Sequence, residues 1–489
     1  MSPWEGENAL TAADLIALLP LLIVAGTAVV LMLAIAVRRS HPFAAGVSLV
    51  GLAAAFISLW VASPRLPRRV TMLLTMDHYA VFYIGLMTAA CFAVALLSYN
   101  YFQSREVYPE ELYVLLLTAT LGSSILAASS HFASFFLGLE ILSVSLYALV
   151  SYLCNRLLPV EAGIKYLILG ASSSAFLLLG MALVYANGGT MEFGRALATA
   201  ANALDSPMLL AGIALIITGI GFKLAVVPFH MWAPDIYQGA PAPVTAFLAS
   251  VSKGGMYALV FRFFYSSGVH EVRLLSIVFS VIAIASMIAG NVLALLQNNV
   301  KRILAYSSIA HMGYILVAFQ AGGAAGVEGA TFYLVAYFIT IIGAFGIVTV
   351  MSGSVADAET LADYRGLFWN RPVLSLFFTV MLLSLAGIPL TAGFLAKFYV
   401  LSAGASSAVW TLVLVLVASS GIGVFYYLRI IVMLYSRVPE EGKGALIRPV
   451  RLTPFSGVVL LALVILLLWF GIYPGPLLNL IRASVAGLV

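Results

Sequence analysis

Apolar stretches of about twenty residues recur from one end of the chain to the other, separated by short polar joints. That length lets an α-helix cross the ~30 Å hydrocarbon core of a bilayer. The pattern predicts about fourteen spans of this kind. They lie near residues 13–37, 44–63, 78–100, 111–130, 132–153, 163–186, 208–229, 242–265, 274–297, 303–321, 329–352, 372–402, 408–435 and 455–480. The longest joints, near 187–207 and 353–371, have room for little more than a surface helix. No soluble catalytic domain fits between the spans.

Composition agrees with this reading. The chain is 63% hydrophobic and 9% charged over 489 residues, against roughly half apolar and a quarter charged in soluble proteins. No Gly/Ser or Pro-rich linker, charge block or low-complexity tract marks a domain boundary. The first residues carry Glu5, Glu7 and Asp14 and no Lys or Arg, so they do not resemble a secretory signal, which needs a basic start.

Basic residues in the joints set an expected orientation. Joints after odd-numbered spans carry Arg38, Arg39, Arg105, Arg156, Lys301, Arg302, Arg365, Arg371, Arg437, Lys443, Arg448 and Arg451. Joints after even-numbered spans, with the C-terminal tail, carry Arg65, Arg68, Arg69, Arg195, Arg273 and Arg482. The first set is about twice the second, so the odd joints are expected in the cytoplasm and both termini in the periplasm. The net charge of +5 follows from this bias and gives no sign of nucleic-acid binding.

Few classical ligand patterns appear. Cys91 and Cys154 both lie in apolar runs, read here as two buried cysteines too far apart to form a framework. The histidines show no H-E-x-x-H spacing. Glycines such as Gly343 and Gly346 sit within helices, where small residues serve close packing. Nothing points to a nucleotide, haem, metal or iron–sulfur cluster held by this chain.

The informative residues are charges inside the apolar runs. The chain has six lysines. Lys301 and Lys443 fall in joints, where lysine is expected, and Lys165 follows Glu161 by four residues, the spacing of a helical ion pair. Lys223, Lys253 and Lys397 lie within spans, as does Glu140. Lys223 is about fifteen residues into its helix, or roughly 22 Å, and Glu140 roughly 13 Å. Facing lipid, the four would cost on the order of 10 kcal/mol, so they must face protein, water or each other. One glutamate cannot neutralise three lysines, so a structural ion pair does not account for all of them. Proton exchange does. Burial and like-charged neighbours lower a lysine's pKa and a nearby carboxylate raises it, whereas arginine does not release its proton.

Two of these lysines stand beside prolines. In "GFKLAVVPFHMWAPDIYQGAPAPV" (221–244), Pro228 is expected to deprive the carbonyl of Leu224 of its helical partner. In "SLAGIPLTAGFLAKFYVL" (384–401), Pro389 is expected to do the same to Leu385. Such interruptions are tolerated in lipid only beside protein or water, and paired interruptions in two halves of a chain point to a transport site. His311, about ten residues after Lys301, sits near mid-membrane, and histidine is the residue type whose free side chain titrates near neutral pH. It reads either as a relay group or as a hydrogen-bonded structural histidine. His230 is a weaker candidate, Asp235 reads as a loop or cap residue, and Tyr306, Ser307 and Ser308 as ordinary helix contacts or holders of water.

"GFKLAVVPFHMWAPDIYQGAPAPVTAFLASVSK", "NNVKRILAYSSIAHMGY", "YRGLFWNRP" and "SLAGIPLTAGFLAKFYVL" together resemble the antiporter-like membrane subunits of respiratory complex I, over essentially the whole chain. "YQGAPAPV" and "YRGLFW" favour the subunit N branch of that family over its two larger relatives. The resemblance implies an all-α polytopic membrane protein of fourteen helices with discontinuous helices 7 and 12. It implies two inverted five-helix repeats, approximately 111–265 and 274–435, flanked by 13–100 and 455–480. It implies a proton relay in which Glu140 and Lys223 form a coupled pair, Lys253 and Lys397 carry the path onward, and His311 bridges them.

The same resemblance implies that this chain binds no cofactor, the NADH, FMN, iron–sulfur clusters and quinone belonging to other subunits. Its expected partners are neighbouring antiporter-like and small membrane-arm subunits and the lipid bilayer, with no nucleic acid. The expected location is the bacterial inner membrane. The rival readings are a subunit of a multisubunit cation/proton antiporter, a subunit of a membrane-bound hydrogenase-type complex, and a passive scaffold.

Overall fold

The computed structural model describes residues 10–105, 108–196, 206–266, 272–354, 356–437 and 452–488. Glu5, Glu7, Lys443, Arg448 and Arg451, which entered the charge argument, lie outside the described residues. Thirteen helices are long and apolar enough to cross a membrane, and a shorter apolar helix, Pro372–Ala386, joins them. The spans are Leu19–Val37, His41–Ala62, His78–Gln103, Glu111–Ala128, Phe132–Val150 and Leu157–Gly188. The seventh is split into Pro207–Leu224 and Trp232–Gly239. Then come an eighth running from Ala242 to Ser266, a ninth, Arg273–Leu295, a tenth, Val300–Ala321, and an eleventh, Gly323–Met351. The twelfth is split into Pro372–Ala386 and Ala392–Ser406, and Trp410–Tyr435 and Pro454–Ile472 follow. A short hairpin, β1 (Arg68–Val70) with β2 (Leu74–Met76), joins the second and third spans. The protein is an all-α polytopic membrane protein with the predicted number of crossings.

Burial sorts the spans. The eighth, tenth and eleventh are almost wholly enclosed by their neighbours, whereas the first, sixth, thirteenth and fourteenth leave most of their surface open. The eighth and tenth are also among the least apolar, and they carry Lys253 and His311. Polar side chains are costly against lipid, so the two least apolar spans are enclosed, while the two most apolar, the first and the fourteenth, lie at the rim.

Helices approach closely where one residue lacks a side chain. A Cβ at Gly290 on the ninth span would stand 2.6 Å from the backbone nitrogen of Ala310 on the tenth. One at Gly122 on the fourth would stand 2.5 Å from the nitrogen of Leu142 on the fifth. Without a hydrophobic force between helices in lipid, this packing is a main source of association. The expected packing roles of Gly343 and Gly346 hold, since added Cβ atoms would meet Met381 and Leu460. Cys154 departs from expectation. It lies exposed in the turn after the fifth span, while Cys91 is buried.

The two interrupted spans break by a different route from the one read in the sequence. The first half of the seventh ends at Leu224 because Ala225 takes a left-handed conformation, φ 57°. The Ala225 and Val226 amides turn back onto the Gly221 carbonyl. Pro228 arrives only after the helix has ended. In the twelfth span, Gly387 (φ 83°) closes the first half, and the Gly387 and Ile388 amides both return to Leu383. Pro389 again follows the break. Each helix is ended by a left-handed residue that folds the next amides back on its last carbonyls.

The joints gather by parity. Arg156 of the fifth joint donates to the Ser354 carbonyl of the eleventh, and Arg302 pairs with Asp235 at 2.7 Å. On the other face Arg69 pairs with Glu192 at 2.6 Å, and Arg482 with Glu328 at 3.0 Å. Lys301, read as a solvated joint residue, is 1% exposed. It donates to the carbonyl of Ala240 at 2.7 Å and to Asp357 at 2.9 Å. Asp357 also accepts from the Tyr101 hydroxyl at 2.7 Å and lies 3.8 Å from Arg105. Burial raises the Asp357 carboxyl, but Lys301, Tyr101 and Arg105 outweigh it and hold it below the ordinary carboxylate range. This clasp pins the joint between the eleventh and twelfth spans to the start of the tenth.

Two outcomes follow. Gly290→Val should lower the thermal midpoint in detergent, overpacking of this kind costing about 1–3 kcal/mol. Gly46→Ala, whose Cβ meets nothing within 4 Å, should leave the midpoint unchanged. Because the folded Asp357 carboxyl is depressed, its clasp is intact above the ordinary carboxylate value of about 3.9 and weakens as pH falls below it. The protection of the amides of residues 356–364, measured as exchange relative to the intrinsic rate at the same pH, should therefore be high at neutral pH and fall below about pH 4. In Asp357→Asn that protection should already be low at neutral pH and lose the acid dependence.

Candidate functional site

Each of the three lysines predicted within the spans sits where a helix is locally irregular. Lys223 lies in the last turn of Pro207–Leu224. Its Nζ donates to Ser143 Oγ at 2.7 Å and lies 5.7 Å from the Tyr147 ring and 5.9 Å from the Tyr166 ring. Lys253 follows a wide π-type turn, Leu248–Ser252, in the eighth span. Its Nζ donates to Ser308 Oγ at 2.5 Å, over the Tyr237 ring. Lys397, in the second half of the twelfth span, donates to the carbonyl of Ala386, at the end of the first half, at 2.8 Å, and to Ser420 Oγ at 2.7 Å. A Cβ at Gly387 would stand 2.8 Å from the Lys397 side chain. Glycine there serves both the left-handed turn and the room for the lysine.

Lys223 and Lys397 share an electrostatic device. Each ammonium lies at the C-terminal end of a half-helix, where exposed carbonyls and the helix dipole favour positive charge. The two reach it from opposite directions: Lys223 stands on the helix that ends, and Lys397 reaches back to it from the helix that follows. All three lysines are at least nine-tenths buried. Their hydrogen-bond partners are neutral hydroxyl or carbonyl oxygens, and among the described residues no carboxylate lies within ion-pair distance of them.

Glu140 is half-buried and accepts from Ser174 Oγ at 2.6 Å. It forms no direct ion pair with Lys223. Ser143, the serine that holds Lys223, lies one helical turn from Glu140 on the same helix. His311 is 4% exposed and lies between Lys253 and Lys397. Its Nδ1 meets the Tyr333 hydroxyl at 2.6 Å and its Nε2 the Tyr427 hydroxyl at 3.2 Å. Tyr427 continues to Ser307, and Ser308 to Tyr337 at 2.6 Å. A cavity of about 10 Å³ between His311, Tyr337, Thr340 and Ser384 reaches the broken twelfth span, enough for about one water.

His230 lies in the turn of the broken seventh span, buried, with neither ring nitrogen hydrogen-bonded. It contacts none of the three lysines by hydrogen bond. Asp235 is in the first turn of Trp232–Gly239 and pairs with Arg302 and Lys165, a larger role than a loop cap. The predicted Glu161–Lys165 pair is present at 2.6 Å. Ser308 and Ser307, read as ordinary contacts, touch Lys253 and Tyr427 directly. The residues missed by sequence reading are hydroxyl partners, namely Ser143, Ser174, Tyr333, Tyr427 and Ser420. Scattered over four other spans, they carry no local signal.

Known proteins share this fold. The family described as NADH:quinone oxidoreductase/Mrp antiporter, transmembrane, matches residues 129–423. A chain of respiratory complex I from Thermus thermophilus is 30% identical, with 95% of this chain and 99% of that one covered and a TM-score of 0.81. A chain of the membrane-bound sulfane sulfur reductase, an archaeal respiratory membrane complex, is 27% identical over 98% and 97%, TM-score 0.81. A chain of the Mrp complex from Dietzia sp. DQ12-45-1b has the same fold at 21% identity, TM-score 0.85, with 97% of each covered. The family match covers more than half of the chain, both broken helices and Glu140, Lys223, Lys253 and Lys397 included, and with the 30% identity over 95% of its length the chain belongs to the NADH:quinone oxidoreductase/Mrp antiporter family of antiporter-like membrane subunits.

Proposed function

We propose that this chain is the subunit N type member of the family, a proton-translocating part of the membrane arm of a bacterial NADH:quinone oxidoreductase. One observation carries the reading. Three lysines, each buried and hydrogen-bonded to neutral oxygens, accompany a buried histidine, and among the described residues no carboxylate lies at ion-pair distance from them. A set of fixed charges would be compensated by acids; a set of exchangeable ones need not be. The 30% identity to a complex I chain over 95% of the length supports the assignment to that complex, as do the "YQGAPAPV" and "YRGLFW" stretches.

In this reading residues 111–265 and 274–435 are two inverted repeats, each supplying one broken helix. Quinone reduction, with its NADH, FMN and iron–sulfur clusters, occurs in other subunits. A signal from them alters the balance between Glu140 and Lys223. Weaker attraction from the carboxylate lets the Lys223 ammonium give up its proton. The proton passes through water and hydroxyls to Lys253, then past His311 to Lys397, and leaves on the opposite side. His311 suits the bridge because each ring nitrogen already has a hydroxyl partner, so a proton arriving at one and leaving from the other needs no ring rotation. His230 hydrogen-bonds to none of these residues and acts, if at all, on the approach to Lys223. The odd joints face the cytoplasm and both termini the periplasm.

The reading is tested by purifying the tagged chain in mild detergent. It should arrive with flavin and iron–sulfur subunits and with NADH:quinone reductase activity. Arrival with small membrane proteins alone, and sodium/proton exchange without redox activity, would replace it by the antiporter reading. Within the complex, Lys223→Ala should lower pumping by about tenfold or more, the usual scale for loss of a positioned proton-transfer group, and slow quinone reduction with it. Lys223→Arg keeps the charge but holds its proton, so it should behave like the alanine variant. Full pumping in the arginine variant would show that charge alone matters.

A further inference from the structure

A cavity of about 880 Å³ lies among the ends of the third and eleventh spans and the start of the fourteenth, on the face where the odd joints gather. Small-molecule sites have this size, ~300–1,000 Å³. None of Glu140, Lys223, Lys253, His311 and Lys397 lines it. Along the third span it reaches from Arg105 to Leu97, roughly 12 Å. Leu97 and Val350 give it an apolar part, and Asn100, Ser352, Thr453 and Ser456 a polar one. Ser104 and Ser354, also on its wall, are exposed, so the cavity opens to the outside.

Among the described residues the wall carries one charged group, the Arg105 guanidinium, and no carboxylate. The Arg105 side chain is 2% exposed. Its terminal nitrogens are engaged: Nη1 donates to the Tyr101 carbonyl at 3.1 Å, and Nη2 to that of Gly353. The guanidinium carbon lies 3.5 Å from the centroid of the Tyr101 ring. Nε has no partner. Asp357, 3.8 Å away, is already met by Lys301 at 2.9 Å and by the Tyr101 hydroxyl at 2.7 Å. A buried charged donor without an acceptor is costly, and a guanidinium N–H is a strong donor to phosphate oxygen.

The fourteenth span begins at the same cavity. Thr453 caps Pro454–Ile472: its hydroxyl accepts from the Ser456 amide at 3.5 Å and from the Asn100 side-chain amide at 2.8 Å. The start of a helix carries partial positive charge and amides that suit an anion. At the rim, Arg156 donates to the Ser354 carbonyl at 2.7 Å, which brings a second guanidinium to the mouth. An unpartnered guanidinium N–H, a helix start and several hydroxyl and amide groups, with no carboxylate on the wall, are the chemistry that receives phosphate. Basic pockets between spans on this side of a membrane take phosphate headgroups.

We propose that this cavity is a phosphate-binding site, with Arg105 Nε and the start of the fourteenth span as its anion contacts. Two sources bring that group to a membrane surface: the headgroup of an anionic phospholipid, and a soluble phosphate. Bound there, the phosphate adds a charged tie between the third and fourteenth spans to the neutral Asn100–Thr453 bond. It also holds Arg105 against Gly353 at the end of the eleventh. The ligand thus fastens three span ends on one face. The site stands apart from the lysines, so it does not depend on the relay reading.

The tagged chain, with the subunits that accompany it, is purified in mild detergent and washed free of lipid. Amide exchange of residues 349–354 and 453–457 is then followed with three probes: phosphatidylglycerol, phosphatidylcholine and inorganic phosphate. A bound probe should slow exchange there by about tenfold at about ten times its dissociation constant. Protection by phosphatidylglycerol beyond phosphatidylcholine supports the site with a lipid as its source. Protection by inorganic phosphate that phosphatidylglycerol does not exceed supports it with a soluble source. Arg105→Gln should weaken binding by at least about tenfold, the scale of a charge-assisted hydrogen bond. Ser104→Trp should abolish the protection by filling the cavity, since the Ser104 hydroxyl makes only long contacts, 3.4 and 3.5 Å, to its own helix. Should Arg105→Gln fail to fold, Ser104→Trp is read in its place. No protection by any probe overturns the proposal. So does equal protection by the two lipids with none from inorganic phosphate, or protection that survives Ser104→Trp.

Discussion

Positive charge in a low-dielectric interior is the constraint around which this protein is organised. An ammonium removed from water without compensation costs far more than one packed side chain returns. Here the compensation comes from dipoles. Lys223 and Lys397 lie at the carbonyl ends of half-helices, and Lys253 follows a wide turn and meets a serine hydroxyl. A carboxylate at contact distance would hold each proton firmly. Hydroxyls and carbonyls lower the cost of the charge and still leave the proton exchangeable.

The rest of the architecture follows from placing those dipoles. A helix supplies free carbonyls only where it ends, so two spans must end inside the bundle. Ala225 and Gly387 do this with left-handed turns, and the surrounding spans enclose the exposed backbone. The two least apolar spans therefore go to the centre, and close glycine contacts such as Gly290 against Ala310 let the outer helices seal them. The Lys301–Asp357 clasp then fastens one face, fixing Ala240, the residue that joins the broken seventh span to the eighth.

Aromatic residues divide the polar interior into compartments. Tyr166, stacked on Trp232, lies beside Lys223, and Tyr333, Tyr337 and Tyr427 surround His311. Rings exclude water while their hydroxyl edges carry hydrogen bonds. The same residues can thus insulate one direction and conduct along another.

The sequence alone determined the class of the protein, the number of spans and the lysines and glutamate that lie within them. Apolar run length answers directly to bilayer thickness, and a lysine inside such a run is conspicuous wherever the chain folds. It also marked both interrupted spans, although it credited the prolines with breaks that Ala225 and Gly387 make. A backbone conformation depends on what surrounds it, and alanine carries no sign of a left-handed turn. The tertiary structure alone decided which hydroxyl meets which lysine, that Glu140 meets Ser174 and forms no ion pair with Lys223, that Lys301 is buried, and that Cys154 is not. Each of these depends on residues tens to hundreds of positions apart meeting across helices, and a serine that holds a lysine looks in the sequence like any other.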